Sequence, residues 1–213
     1  MNVTHKMNIY EQIEQIKIVP VVKLDRSSDA LPLAEALYQG GLPIAEITFR
    51  TDAAEDSIRN IRRQCPEMLV GAGTIVNLEQ AKRALDADAK FLVSPGFSHK
   101  VTQFALDNHI PIFPGTCTPT EVMYALEYGL PVVKFFPAKQ YGGLETIKAL
   151  SAPFPGIRFM PTGGINSDNI KEYLSFHKII ACGGSWMVTE TLINNGEFDK
   201  IKELTAQAVS LVK

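Results

Sequence analysis

A lysine stands in an otherwise apolar run, P-V-V-K-F-F-P at 131–137, where strand alternation puts Val132, Lys134 and Phe136 on one face. Desolvating an ammonium is costly, and two readings are open. Either the aliphatic stem packs on apolar surface while the charge reaches water at a strand end, or the amine is a nucleophile. An amine with an ordinary pKa of ~10.4 is unprotonated only about four times in ten thousand at pH 7, and burial that brings the pKa toward ~7 to 8 makes much of it available. Lowering it by about three costs roughly 4 kcal/mol, which a dry interior and a neighbouring cation can supply.

A second run, A-E-I-T-F-R-T at 45–51, places Glu46, Thr48 and Arg50 on one face at steps of roughly 6 to 7 Å. Turned inward, it offers a carboxylate that moves protons and a planar two-pronged guanidinium for a keto acid carboxylate. Turned outward, it is a solvated row of ion pairs, and Ile44, Ile47 and Phe49 claim the interior. An ionised Glu46 close to the lysine raises the amine pKa and Arg50 lowers it, so their placement decides the balance.

Further polar groups follow other apolar runs. Thr74 closes G-A-G-T, where its hydroxyl either caps a helix or binds a carboxylate. Ser94-Pro95-Gly96 reads as a turn first and a pocket wall second. P-T-G-G-I-N-S at 161–167 and C-G-G-S-W at 182–186 carry Thr162, Gly163, Gly164, Gly184 and Ser185. Each glycine pair alone is compatible with a simple turn; together they suit close backbone approach to a phosphate, with the Ser185 hydroxyl as a further donor.

The elements that must position these groups recur regularly. Strand-like runs fall at 18–22, 44–49, 69–72, 91–93, 110–113, 132–136, 157–160 and 179–182. Between them, segments at 30–38, 53–63, 78–85, 100–108, 120–128, 143–150 and 169–176 have the three-and-four spacing of amphipathic helices. Eight units in 213 residues leave about 27 residues each, near the small end for a barrel. The expected fold is therefore α/β, a single (β/α)8 TIM barrel spanning 1–213, with an additional N-terminal helix at 8–17 and a closing helix at 198–212. An open doubly wound sheet gives the same alternation. It is disfavoured because no G-x-G-x-x-G follows the first run, whereas the glycine turns follow the seventh and eighth, where phosphate-binding barrels carry theirs.

Composition narrows the partners. A formal net charge of -2 with no basic run gives no attraction for nucleic acid or an anionic membrane, so a small solute is expected. Residues 1–15 lack an apolar signal core and no stretch reaches the ~18 apolar residues of a membrane span, which points to a cytoplasmic location. Cys65, Cys117 and Cys182 are widely spaced and read as reduced thiols. His5, His99, His109 and His177 fall in separate units, so neither a metal site nor a cofactor is expected.

Across nearly its whole length the chain resembles the 2-keto-3-deoxy-6-phosphogluconate (KDPG) aldolase and 4-hydroxy-2-oxoglutarate aldolase family. The resemblance rests on six motifs in order: E-I-T-F-R-T, V-G-A-G-T, S-P-G, V-K-F-F-P-A, P-T-G-G-I and G-G-S-W. It implies a metal-independent lyase, usually a homotrimer, acting on a keto acid phosphate. Lys134 would form a Schiff base, Glu46 would be general acid and base, and Arg50 and Thr74 would hold the pyruvate carboxylate. By the same resemblance Pro95 and Phe136 would line the pyruvate pocket, Thr162 would touch the substrate chain, and Gly163, Gly164 and Ser185 would hold the phosphate; the glycine turn of Gly184 is grouped with them. Lys139 departs from the family, standing where members often carry an acidic residue, and Gly115-Thr116-Cys117-Thr118 varies a loop near the site.

Two rivals remain at this level. A phosphosugar isomerase or epimerase on the same frame would need no amine nucleophile, and a catalytically silent barrel would bind a phosphorylated metabolite without releasing pyruvate.

Overall fold

A computed structural model describes residues 7–213; His5 and the start of the polar leader fall in 1–6, outside the described residues. The chain opens with α1 (Ile9–Ile16), β1 (Ile18–Val22), a 3-10 turn (Ser27–Asp29), α2 (Ala30–Gln39), β2 (Ile44–Thr48), α3 (Ala54–Gln64) and β3 (Leu69–Gly73). It continues through α4 (Leu78–Asp86), β4 (Leu92–Val93), α5 (His99–Asp107), β5 (Ile112–Phe113), β6 (Gly115–Thr116), α6 (Pro119–Glu127), β7 (Val132–Phe135) and α7 (Gly143–Ser151). It ends with β8 (Arg158–Pro161), α8 (Ile170–Leu174), β9 (Cys182–Gly184), α9 (Glu190–Asn194) and α10 (Phe198–Val212).

All pairings are parallel. One run of strands has the order β5-β4-β3-β2-β1-β9 and a second has β6-β7-β8, with parallel bridges Phe159↔Ile179 and Thr162↔Gly183 between β8 and the β9 region. The result is an α/β fold with a curled parallel sheet and helices on its outer face. Two strands differ from the sequence expectation. The run at 110–113 continues past Pro114 as two short pieces, because proline has no N–H to donate to the ladder. The last strand, expected at 179–182, is Cys182–Gly184; Ile179 keeps a single bridge. The short α9 was not anticipated at all.

Alternation along the strands divides the core in two. Inner-face residues Val19, Ile44, Leu69, Phe91, Phe113, Val132 and Met160 pack with one another, and Ile9, Tyr10, Ile13 and Ile16 of α1 pack against them. The rings of Phe91 and Phe113 meet edge to face at 5.8 Å, and Tyr10 meets Phe113 at 5.3 Å. Outer-face residues such as Ala45, Ile47, Val70, Ala72, Val133 and Phe135 pack under the helices. The N-terminal end of the strands is thus sealed by an apolar plug, and polar groups on the inner face can meet a ligand only at the C-terminal end.

Helix starts are fixed by caps that the sequence supplies. Asn8 and Glu11 form a reciprocal capping box on α1, at 3.0 and 2.8 Å. Thr118, Pro119 and Glu121 do the same for α6. There a single oxygen, Glu121 Oε2, accepts from the backbone N–H of Cys117 and Thr118 and from the Thr118 hydroxyl, at 2.8, 2.9 and 2.9 Å. Burial pushes the Glu121 carboxyl upward, but these donors outweigh it and hold the group below the usual carboxylate range. A carboxyl depressed by folding stabilises the protein above its ordinary pKa, and that contribution is lost as pH falls through the depressed value. Glu121→Gln should therefore cost about 1 kcal/mol at pH 7, and its thermal midpoint should converge with that of the parent chain below about pH 4. Paired melting curves from pH 3 to pH 8 measure this, and an unchanging gap would refute the assignment.

Candidate functional site

Parity settles where the two chemical runs point. Glu46 shares its face with Ile44, and Lys134 with Val132, and both apolar partners belong to the inner core. Ile47 and Phe49 go to the outer layer instead. Lys134 Nζ lies 3.7 Å from Glu46 Oε1, with side chains 6% and 1% exposed. The ammonium also sits 5.1 Å from the centroid of the Phe136 ring. Neither Glu46 carboxylate oxygen has a hydrogen-bond partner among the described residues. Buried polar atoms are normally satisfied, so an orphaned carboxylate beside an amine makes this pair the candidate site.

Above this pair, on the C-terminal side, opens a cavity of about 400 Å³. Thr48 and Phe136 line it, each two residues beyond Glu46 and Lys134, so the pair lies roughly 6 to 7 Å deeper along the same strands. Arg50 lines it too, and its Nε donates to the Thr74 hydroxyl at 3.2 Å. Thr74 is not a helix cap: α4 is capped by Asn77, which accepts from the Gln80 N–H at 2.9 Å. Pro95 belongs to a turn held by the Ser94 hydroxyl on the Gly96 carbonyl at 2.8 Å. Its carbonyl oxygen would lie 2.2 Å from a Cβ at Gly115, and Gly115 pairs in register with Lys134. Neither Thr74 nor Pro95 lines the cavity itself.

The opposite wall is built from Thr162, Gly163, Gly164, Gly184 and Ser185. Gly163 and Gly164 have φ of 101° and 76°, a conformation that favours glycine. Asn169 Nδ2 fixes the loop by donating to the Gly164 carbonyl at 2.8 Å. The Thr162 hydroxyl is buried and has no partner among the described residues. Lys139 packs against Gly164, where a Cβ would come within 2.5 Å of the lysine Cβ. At the mouth, Lys23 is paired with Glu190 at 2.8 Å and Asp25 at 3.2 Å. The Glu190 and Asp25 hydrogen bonds hold the Lys23 ammonium above its usual pKa. Donation by Asn194, then by Lys23, holds Asp25 below the usual range.

Every site residue expected from sequence therefore lies on the C-terminal side, and Lys134, Glu46, Arg50, Phe136 and the two glycine loops converge there. Lys23 and Glu190 were missed, although Lys23 follows β1 directly and so had the same positional signal as Arg50 after β2. Gly183 was also missed; a Cβ there would lie 2.3 Å from the Thr162 hydroxyl. Among the described residues no group of three His, Cys, Asp or Glu side chains is arranged to hold a metal ion. No described helix is long and apolar enough to cross a membrane.

Comparison with known proteins agrees with this geometry. The family model for KDPG and KHG aldolase matches residues 9–204. The 2-dehydro-3-deoxy-phosphogluconate aldolase of Treponema pallidum is 45% identical over 206 residues, covering 97% of this chain and 98% of that protein. Among solved structures, KDPG aldolase from Legionella pneumophila, with pyruvate captured as a covalent carbinolamine intermediate, superposes with a TM-score of 0.90 at 37% identity, covering 93% of this chain and 97% of the other. The Zymomonas mobilis enzyme bound to 3-phosphoglycerate gives 0.88 at 34% identity, covering 97% of each chain. With the family model spanning nearly the whole fold and a relative at this identity along almost all of its length, the chain belongs to the KDPG and KHG aldolase family.

Proposed function

We propose that this chain is a metal-independent Schiff-base aldolase that cleaves 2-keto-3-deoxy-6-phosphogluconate to pyruvate and glyceraldehyde 3-phosphate, and 4-hydroxy-2-oxoglutarate to pyruvate and glyoxylate. The observation that carries it is the buried amine of Lys134, 3.7 Å from a carboxylate with no donor among the described residues, under a cavity walled by an arginine on one side and glycine loops on the other.

The chemistry follows from those groups. The Lys134 amine adds to the C2 ketone, and loss of water from the carbinolamine leaves an iminium. Glu46, acting through a water, takes the proton of the C4 hydroxyl; the C3–C4 bond breaks and its electron pair moves into the iminium, giving an enamine and the free aldehyde. A proton returned to C3 regenerates an iminium, and water hydrolyses it to pyruvate and the free lysine. Arg50, steadied by Thr74, binds the carboxylate in the plane of its guanidinium. Pro95 and Phe136 line the pyruvate pocket, Thr162 meets the substrate chain, and Gly163, Gly164, Gly184 and Ser185 hold the distal phosphate by backbone N–H and hydroxyl donors.

The same reading extends to the whole molecule. The two bridges between β8 and the β9 region, with the β1–β9 pairing, support closure of the curled sheet into one (β/α)8 barrel over 1–213, with α1 as an addition ahead of it. The family resemblance implies a homotrimer, and Met123 and Leu126, one turn apart on α6 and 52% and 41% exposed, supply apolar surface for self-association. Sedimentation should give three times the chain mass, and a monomer at working concentration would reject the trimer.

Borohydride in the presence of pyruvate should reduce the iminium and leave one N-(1-carboxyethyl) group on Lys134, seen by peptide mass, and Lys134→Ala should show none. Equal trapping in that variant would overturn the mechanism. In a lactate dehydrogenase-coupled assay, Arg50→Gln should raise the KM for either substrate by about tenfold to a hundredfold, the loss of a charge-assisted bidentate contact worth roughly 1.5–3 kcal/mol. An unchanged KM would remove Arg50 from the carboxylate site.

A further inference from the structure

Beyond Leu69, strand β3 faces β2 with glycine at its two remaining inner positions: Gly71 pairs with Glu46 and Gly73 with Thr48. Neither residue has positive φ, so the backbone would accept any L side chain there. What forbids one is space. A Cβ at Gly71 would lie 2.2 Å from the Phe91 ring, a collision within the apolar core. A Cβ at Gly73 would instead lie 1.9 Å from Glu46 Oε1, 2.5 Å from its Cδ and 2.7 Å from its Cγ. The carboxylate occupies the volume that a side chain at 73 would fill.

That occupancy answers a question the hydrogen bonds leave open. The terminal torsion of glutamate is broad, and an acid–base group needs a fixed position. Yet neither oxygen of Glu46 has a hydrogen-bond partner among the described residues, and the ammonium at 3.7 Å supplies attraction without a directed bond. Donors that fixed the carboxylate would also occupy the lone pairs it needs for proton transfer. A wall of backbone fixes it without occupying them.

We propose that Gly73 is a positioning residue: the absence of a side chain makes a socket that holds the Glu46 carboxylate against Lys134 by shape, leaving both oxygens uncommitted. The inference rests on the reading of Glu46 as the proton-moving group. Gly73→Ala must push the carboxylate aside, and a displacement on the order of 1 Å at a reacting group costs about a hundredfold in rate. Gly71→Ala disturbs only packing below the site.

The test joins kinetics to a stability cycle. Gly73→Ala should lower kcat about a hundredfold, leave KM within about threefold because Arg50 and the glycine loops are untouched, and displace the acidic limb of the kcat–pH profile. In thermal unfolding, Gly73→Ala should lower the midpoint in the parent chain but not in a Glu46→Ala background, whereas Gly71→Ala should lower it equally in both. Should Gly73→Ala not fold, a folded Glu46→Ala/Gly73→Ala double variant supports the socket, and a double variant that also fails to fold overturns it. Parent-like kcat and pH profile in Gly73→Ala, or equal destabilisation with and without the carboxylate, likewise overturns it. A parent chain that releases no pyruvate would reject the aldolase reading instead, and the unfolding cycle reports on the socket independently of that result.

Discussion

Two ionisable groups held out of water within 3.7 Å of each other are the constraint to which the rest of the molecule answers. Moving an ion of this size from water into a protein interior costs several kcal/mol, and mutual attraction repays it only when the geometry is good and the remaining polar atoms are satisfied. Here they are not: among the described residues the carboxylate takes no hydrogen bond, and the ammonium has a carboxylate beyond hydrogen-bond distance and the face of Phe136. A pair arranged for stability would be fully bonded. This one is incompletely bonded beneath a cavity, which under the proposed chemistry is stability given up for reactivity.

Such a deficit is tolerable only on a rigid support, and the two-layered core provides it. The apolar plug of α1 against Phe113, Phe91 and Met160 closes the N-terminal end of the strands and keeps water from reaching the pair from below. The outer layer beneath the helices fixes each strand from the other side, so the inner face cannot shift register without moving its whole apolar set. Cys182 belongs to that outer layer, where burial raises its thiol pKa and leaves it an inert packing group.

How much of this was legible in the sequence depended on contrast. Lys134 stood out because a single charge interrupts an apolar run, and no surface strand needs that pattern. Glu46 was ambiguous because all five residues of β2 are buried, which removes the alternation of apolar and polar residues that normally marks the inner face. The last strand was misplaced because Gly183 and Gly184 have poor strand propensity, and they pair because β1 offers Val19 and Pro20 on one side and Thr162 bridges Gly183 on the other. Gly73 was hidden for a related reason: in G-A-G-T a glycine reads as turn chemistry, and only coordinates show that its missing side chain is filled by another residue. The Lys23–Glu190 pair spans 167 positions, and local spacing carries no trace of it.

That distant pair bears on how a charged ligand would be recognised under the proposed chemistry. At the mouth, Lys23 is already matched by Glu190 and Asp25, so the rim presents little net positive charge. Exposed pairs of this kind contribute little to stability, and their side chains rearrange easily. A phosphate reaching the inner wall would then be held chiefly by neutral donors, the backbone N–H groups around Gly163, Gly164 and Gly184 and the Ser185 hydroxyl. Donors fixed by the backbone lose little entropy on binding and select for oxygen geometry, whereas lysines would attract any anion. Arg50, the arginine that lines the cavity, has no ion pair among the described residues and stands beside Thr74, where a flat carboxylate rather than a tetrahedral phosphate fits its fork. The two ends of the cavity thus differ in the geometry they recognise, and a substrate with a carboxylate at one end and a phosphate at the other has one favoured orientation, with its ketone over Lys134.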